Sequence, residues 1–197
     1  MNPADMERHI VETGDGSHSL YVPALDEQYH SRHGAVQESR HVFLKMGLDA
    51  VAVEGRAVRL LEIGFGTGLN ALLTWQAAIA NGKSVHYTGI EAFPVTKEEA
   101  AALNYPAQTR ESDAERMFSE LHACDWERAV KMDDSLTLFK KESRIEDFEV
   151  DLPQDLIYFD AFAPNKQPEL WTDSIFEKMY RLCAPDGVLV TYCAKGD

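Results

Sequence analysis

Arg59-Leu60-Leu61-Glu62-Ile63-Gly64-Phe65-Gly66-Thr67-Gly68-Leu69-Asn70 reads as an apolar strand, a loop with glycine at every second position, and the opening of a helix. That order of parts brings a nucleotide-like ligand against a helix N-terminus. Glycines there let backbone approach a ligand and take dihedrals closed to residues with a Cβ. The spacing separates ligand classes. Dinucleotide sites use G-x-G-x-x-G, with the third glycine three places after the second. Here Gly64, Gly66 and Gly68 alternate and position 69 is Leu69. By itself, such a loop also fits a tight strand–helix turn with no ligand.

Outward from this loop, strands and helices alternate. Val58 to Ile63 reads as a buried strand, and Leu69 to Ala80 as a helix stopped by Asn81-Gly82. Val85 to Ile90 is a second strand, Ser135 to Phe139 a weaker one, and Asp155 to Phe159 a strong one. Lys97 to Leu103 and Asp113 to Met132 carry helical patterns. Thr172 is placed to N-cap a helix whose apolar stripe is Ile175, Phe176, Met179, Leu182 and Cys183. Pro185-Asp186-Gly187 reads as a turn before a strand at Val188 to Cys193. Alternation of this kind predicts an α/β fold: a mostly parallel sheet with right-handed crossovers and helices on both faces. Ahead of it, residues 1–57 read as an N-terminal extension with a strand at Ser19 to Val22 and a helix at Ala35 to Gly47. Residues 58–197 form the Rossmann-like core. The sequence stops soon after a strand, so the core is expected to lack its last two strands.

Composition narrows the class. With 45% hydrophobic and 26% charged residues, the chain is an ordinary globular sequence with enough length for one good core. No apolar run approaches the ~20 residues of a membrane span, and the polar start does not read as a signal peptide. Cys124, Cys183 and Cys193 lie far apart without a C-x-x-C pair, which suits a reducing, cytoplasmic setting and predicts no metal site. The net charge of −14 is awkward for a nucleic-acid partner, but it is unevenly spread. Residues 91–160 hold 18 acidic against 8 basic residues, leaving the two ends of the chain nearer balance.

Chemistry collects at strand ends, where open α/β sheets bind ligands. S-adenosylmethionine carries a sulfonium, an amine and a carboxylate, so an acidic Glu62 beside the E-x-G-x-G-x-G loop suits it. Glu91 ends the second strand, where a carboxylate can accept from both hydroxyls of a ribose. Asp160 follows the strong strand in Leu156-Ile157-Tyr158-Phe159-Asp160-Ala161-Phe162-Ala163-Pro164. Pro164 and Pro168 stiffen its loop, and Phe162 and Trp171 offer walls for a planar base or belong to the core. Tyr29, His30, Arg32, His33, Arg40, His41 and Lys45 form a cluster that suits phosphates, a cover over the cofactor, or plain surface.

Two stretches, LLEIGFGTGLNALLTW and FDAFAPNKQPELWTDSIFEKMYRLCAPDGVLVTY, together resemble the methyltransferase domain of the MnmC family, which makes 5-methylaminomethyl-2-thiouridine in tRNA. GAVQESRHVFL is similar to the segment that precedes the family's first strand. The D-x-F-A-P-x-K-x-P-x-x-W pattern, Asp160 to Trp171, is the more specific part. The resemblance implies a class I S-adenosylmethionine-dependent methyltransferase fold. It also implies methyl transfer to the primary amine of 5-aminomethyl(-2-thio)uridine at the tRNA wobble position. It makes Glu62, Gly64, Phe65, Gly66, Gly68, Asn70 and Glu91 cofactor residues. Asp160 becomes the catalytic residue at the cofactor's edge, and Phe162, Pro164, Lys166 and Trp171 become substrate contacts. An oxidase acting on the preceding intermediate is an implied partner, since no second glycine motif supports an oxidase domain here. Lys140-Lys141-Glu142-Ser143 stands where the family's adenine-side acid is expected, which leaves the adenine contacts open. Two rival functions fit the residues: transfer to a small-molecule or protein amine, and a non-catalytic cofactor-binding fragment. A nicotinamide-dependent oxidoreductase is disfavoured by Leu69.

Overall fold

The computed structural model describes residues 7–109 and 111–193. Three short strands come first: β1 (His9–Glu12), β2 (His18–Val22) and β3 (Glu27–Gln28), paired antiparallel in the order β1-β2-β3. Helix α1 (Ala35–Ser39) runs on into a π-helical stretch, Arg40–Lys45. Then follow β4 (Val58–Ile63), α2 (Leu69–Ala80), β5 (Val85–Glu91), α3 (Lys97–Ala101) and α4 (Ala114–Ala123). The remaining elements are β6 (Ala129–Lys131), β7 (Leu136–Glu142), β8 (Gln154–Phe159), α5 (Asp173–Leu182) and β9 (Cys183–Val190).

Six strands form one sheet in the order β6-β7-β5-β4-β8-β9, with only β6 antiparallel. Strand β4 is central, between β5 and β8, and is covered on both faces. That explains its nearly continuous apolar run. Alternate residues serve opposite faces. Leu60, with Leu136, Leu138 and Tyr158, packs beneath α2, α4 and the segment before β4, including Leu20, Val36, Phe43 and Leu48. Leu61, Ile63, Ile157 and Phe159 pack on the other side with Ile175, Met179 and Leu182 of α5. The expected helices on both faces are therefore present.

Two local expectations are corrected. The helical pattern of Asp113 to Met132 breaks after Ala123. Cys124 turns extended, Glu127 adopts a positive φ of 61°, and Val130 pairs with Leu138 as part of β6. Buried Lys140 secures the break by donating from Nζ to the carbonyls of Leu121 (2.7 Å) and His122 (3.2 Å), the unpaired end of α4. The turn at Pro185-Asp186-Gly187 lies inside β9 rather than before it. Gln154 pairs with Cys183 but Leu156 pairs with Val188, so the intervening residues bulge from the ladder.

The start of β8 is held by an ion pair. Arg56 donates from Nη1 (2.6 Å) and Nη2 (2.7 Å) to Asp155, and Arg59 N–H donates to Oδ2 at 2.9 Å. Burial pushes the Asp155 carboxyl up, but the Arg56 guanidinium and the Arg59 N–H outweigh it and hold it at about 2. A carboxyl below its unfolded value near 3.9 stabilises the fold above that pH and loses its effect as pH falls towards 2. Asp155→Ala is expected to remove about 2 kcal/mol at pH 7, a figure moderated by the half-exposed Arg56. Urea titrations should show the difference from the parent protein shrinking below pH 4.

Candidate functional site

The chain leaves β4 through β5 and β7 in one direction and through β8 and β9 in the other. The carboxyl ends of β4 and β8 therefore flank a switch point, where ligand crevices open. A cleft of about 950 Å³ lies there. Its wall includes Gly64, Phe65, Gly66, Asn70, Glu91, Asp160 and Phe162.

The glycine loop forms as it does for steric reasons. Gly64 has φ 86°, and a Cβ on it would strike the Asp160 carbonyl oxygen. Gly66 has φ 48°, and a Cβ there would lie 3.0 Å from the Tyr29 ring. Gly64 and Phe65 both donate N–H to Ile90 O at 3.0 Å, stitching the loop to β5. Gly68 is the N-cap of α2, so the helix opens at the cleft.

Glu91 reaches under this loop. Its Oε2 accepts from Gly66 N and its Oε1 from Phe93 N, each at 2.9 Å. Each oxygen keeps a further lone pair for a hydroxyl.

Asp160 belongs to a chain of side chains leading into the core. Asn70 donates from Nδ2 to Asp160 Oδ2 (2.8 Å) and to Glu62 Oε1 (2.8 Å), and Tyr87 OH donates to Glu62 Oε2 (2.7 Å). Glu62 is buried behind the wall rather than on it. Burial, then the Asp160 charge, raises its carboxyl well above the usual range. Asp160 is pushed up to about 8, by burial first and by the charges of Glu38 and Glu91, against the pull of the Asn70 hydrogen bond.

The roof comes from the other end of the chain. Tyr29 meets Phe162 edge-on at 5.1 Å. Arg8, almost wholly buried, donates from Nε to Tyr29 OH (2.9 Å), from Nη1 to Glu99 (3.1 Å) and from Nη2 to Phe93 O. His30 also lines the cleft, and burial lowers its imidazole to about 4, so it is neutral there. Among the other basic residues of that cluster, Arg32, His33, Arg40, His41 and Lys45 are exposed and outside the cleft.

Pro164, Lys166 and Trp171 do not line the cleft. Trp171 packs on Phe159 and donates from Nε1 to Phe162 O at 2.8 Å, bracing the loop from behind. Lys166 lies 3.8 Å from Asp26. The wall beside β7 is built by Ser143, Arg144, Ile145 and Glu146, and Tyr192 completes the far side. Sequence reasoning reached the first of these as an open question and gave no role to Tyr192 or Phe93, whose approach depends on tertiary folding. Among the described residues, no group of three His, Cys, Asp or Glu could hold a metal, and no helix could cross a membrane.

Comparison with known proteins agrees with this fold. The S-adenosyl-L-methionine-dependent methyltransferase family matches at residues 107–196. The tRNA 5-methylaminomethyl-2-thiouridine biosynthesis bifunctional protein MnmC of Cupriavidus necator is 34% identical over 194 residues, covering 89% of this chain and 28% of that protein. The Marinomonas protein of the same name is 29% identical over 182 residues, covering 87% of this chain and 27% of its own. This chain thus spans less than a third of the length of these relatives. The crystal structure of MNMC2 from Aquifex aeolicus superposes with a TM-score of 0.76 at 26% identity, over 98% of this chain and 62% of that one. Over most of its length the chain is thus similar to the MnmC proteins, and its fold is the Rossmann-like fold of S-adenosylmethionine-dependent methyltransferases.

Proposed function

We propose that this chain methylates the primary amine of 5-aminomethyl(-2-thio)uridine at the wobble position of tRNA, with S-adenosylmethionine as donor. The observation that carries this is Asp160, a carboxylate at the cleft wall with Oδ2 held by Asn70 and Oδ1 free of hydrogen bonds to described residues.

The wall fits the cofactor. Glu91, Glu146, Asp160 and Glu169 face Arg144 alone among charged residues there, an acidic balance that suits a sulfonium and an ammonium. Gly64 and Gly66 would hold it by bare backbone, Glu91 by its free lone pairs towards the ribose, and Ser143 to Glu146 on the adenine side; Gly68, expected beside them, faces His122 and is outside the wall. When bound, it supplies an electrophilic methyl group.

The protein's own part is positioning and proton handling. A primary alkylamine is largely protonated at neutral pH and must lose a proton to attack. Asp160 Oδ1 accepts an N–H hydrogen bond, directs the lone pair and takes the proton. A base near 8 suits that exchange better than an ordinary carboxylate. Phe162, beside Asp160 and under Tyr29, would stack on the base. An oxidase acting on the preceding intermediate supplies the amine.

The test incubates the protein with S-adenosylmethionine and tRNA lacking the final methyl, followed by nucleoside mass spectrometry. Gain of one methyl on the aminomethyluridine is expected. The net charge of −14 favours one rival, transfer to a small or protein amine. Under that reading the tRNA gains nothing while the cofactor still binds. Transfer to tRNA, in contrast, should weaken steeply with salt.

A further inference from the structure

Building on the reading of Asp160 as the base, we propose that Asn70, anchored by Glu62, is a positioning residue that presents Asp160 to the acceptor amine. Asn70 sits in the first turn of α2 and is 3% exposed. Both of its amide hydrogens are committed, one to Glu62 and one to Asp160, each at 2.8 Å. Glu62 is fixed in turn by Tyr87 of β5, and both are fully enclosed. Tyr87, Glu62, Asn70 and Asp160 thus form one line from the interior of the sheet to the cleft. Two carboxyl groups brought this close repel unless a donor stands between them, and an amide is the neutral side chain that can donate to both. Pinning Oδ2 leaves Oδ1 as the oxygen offered to a ligand.

The ionisable groups that act on or with Asp160 are Glu62 of β4, Glu91 of β5, Glu38 of α1, Tyr87, Tyr105 and Tyr192. None is a cation. The Asn70 hydrogen bond is therefore the one influence among the described residues that favours the charged, proton-accepting form of Asp160. Asn70 Oδ1 is buried without a partner among the described residues, and this defines the rival role, a direct contact to the cofactor.

The experiment measures kcat, KM, S-adenosylhomocysteine affinity and the pH dependence of kcat/KM for Asn70→Ala and Glu62→Gln. Asn70→Ala is expected to lose about 10–100-fold in kcat from a misplaced base, with cofactor KM and S-adenosylhomocysteine Kd within about 3-fold. Its acid limb should move to higher pH, because the lost hydrogen bond favoured the carboxylate. Glu62→Gln gives up the anchoring carboxylate but keeps an oxygen to accept from Asn70, so it is expected to show the same loss in kcat as Asn70→Ala at a smaller size, again with S-adenosylhomocysteine Kd within about 3-fold. A cofactor affinity weakened more than about 10-fold with an unmoved acid limb would make Asn70 a cofactor ligand. Unchanged kcat in Asn70→Ala, with Asp160→Ala inactive, would overturn the inference and leave the base in place. Full activity in Asp160→Ala would instead remove the reading on which it rests.

Discussion

Asp160→Ala is expected to lower methyl transfer by about 10²–10⁴-fold, the range that a positioned base contributes. S-adenosylhomocysteine affinity should change by no more than a few-fold. The separation follows from the geometry. The backbone of the glycine loop and Glu91 lie on the β4 and β5 side, whereas Asp160 stands at the end of β8. Removing the carboxylate also relieves Glu62 of a neighbouring charge, so the fold should not suffer. In the parent protein, kcat/KM reports the free enzyme. It should rise as pH passes through about 8, because the deprotonated Asp160 is the active form, and level off above. Asp160→Asn keeps the shape without the base and should be equally poor. Parent-like turnover in either variant, measured by methyl incorporation at saturating cofactor, would remove Asp160 from the chemistry.

Gly66→Val is expected to weaken cofactor binding by about 100-fold, read by calorimetry with S-adenosylhomocysteine. Three effects combine at this position. The φ of 48° is closed to a β-branched residue, and the new Cβ would press on the Tyr29 ring at 3.0 Å. A shifted loop would also withdraw the Gly66 N–H from Glu91 Oε2, freeing the carboxylate from its present orientation. Gly66→Ala should show the same direction with a smaller loss. Unchanged affinity in the valine variant would place the cofactor elsewhere.

The central elements were the most legible in sequence because both of their faces are buried. Val58–Ile63 and Leu69–Ala80 form as expected, the first an apolar run and the second stopped at Asn81-Gly82. Thr172 caps α5 as the stripe Ile175, Met179 and Leu182 suggested. Edge elements were harder. Strand β6 is three residues long and hides inside a helical periodicity, because its partner β7 and the Lys140 clamp decide the break. At the site, residues at strand ends were readable because parallel topology gathers them. Asp160, Glu91, Gly64 and Gly66 meet at the cleft. The orientation of a single aromatic was not readable. Trp171 and Phe162 stand nine residues apart in one pattern, yet one is a brace and the other a wall. Glu62 sits beside the loop in sequence, but strand alternation turns it inward to Tyr87.

The Arg8–Tyr29 roof has a consequence for the order in which the molecule folds. Arg8 finds its partners at Phe93 and Glu99, 85 and 91 residues later, and Tyr29 meets Phe162. These are among the longest loops the chain must close, and such contacts form late because their closure entropy precedes their reward. The glycine turn can therefore form before its ceiling does, and the cleft is enclosed only when Tyr29 has met the loop that follows β8.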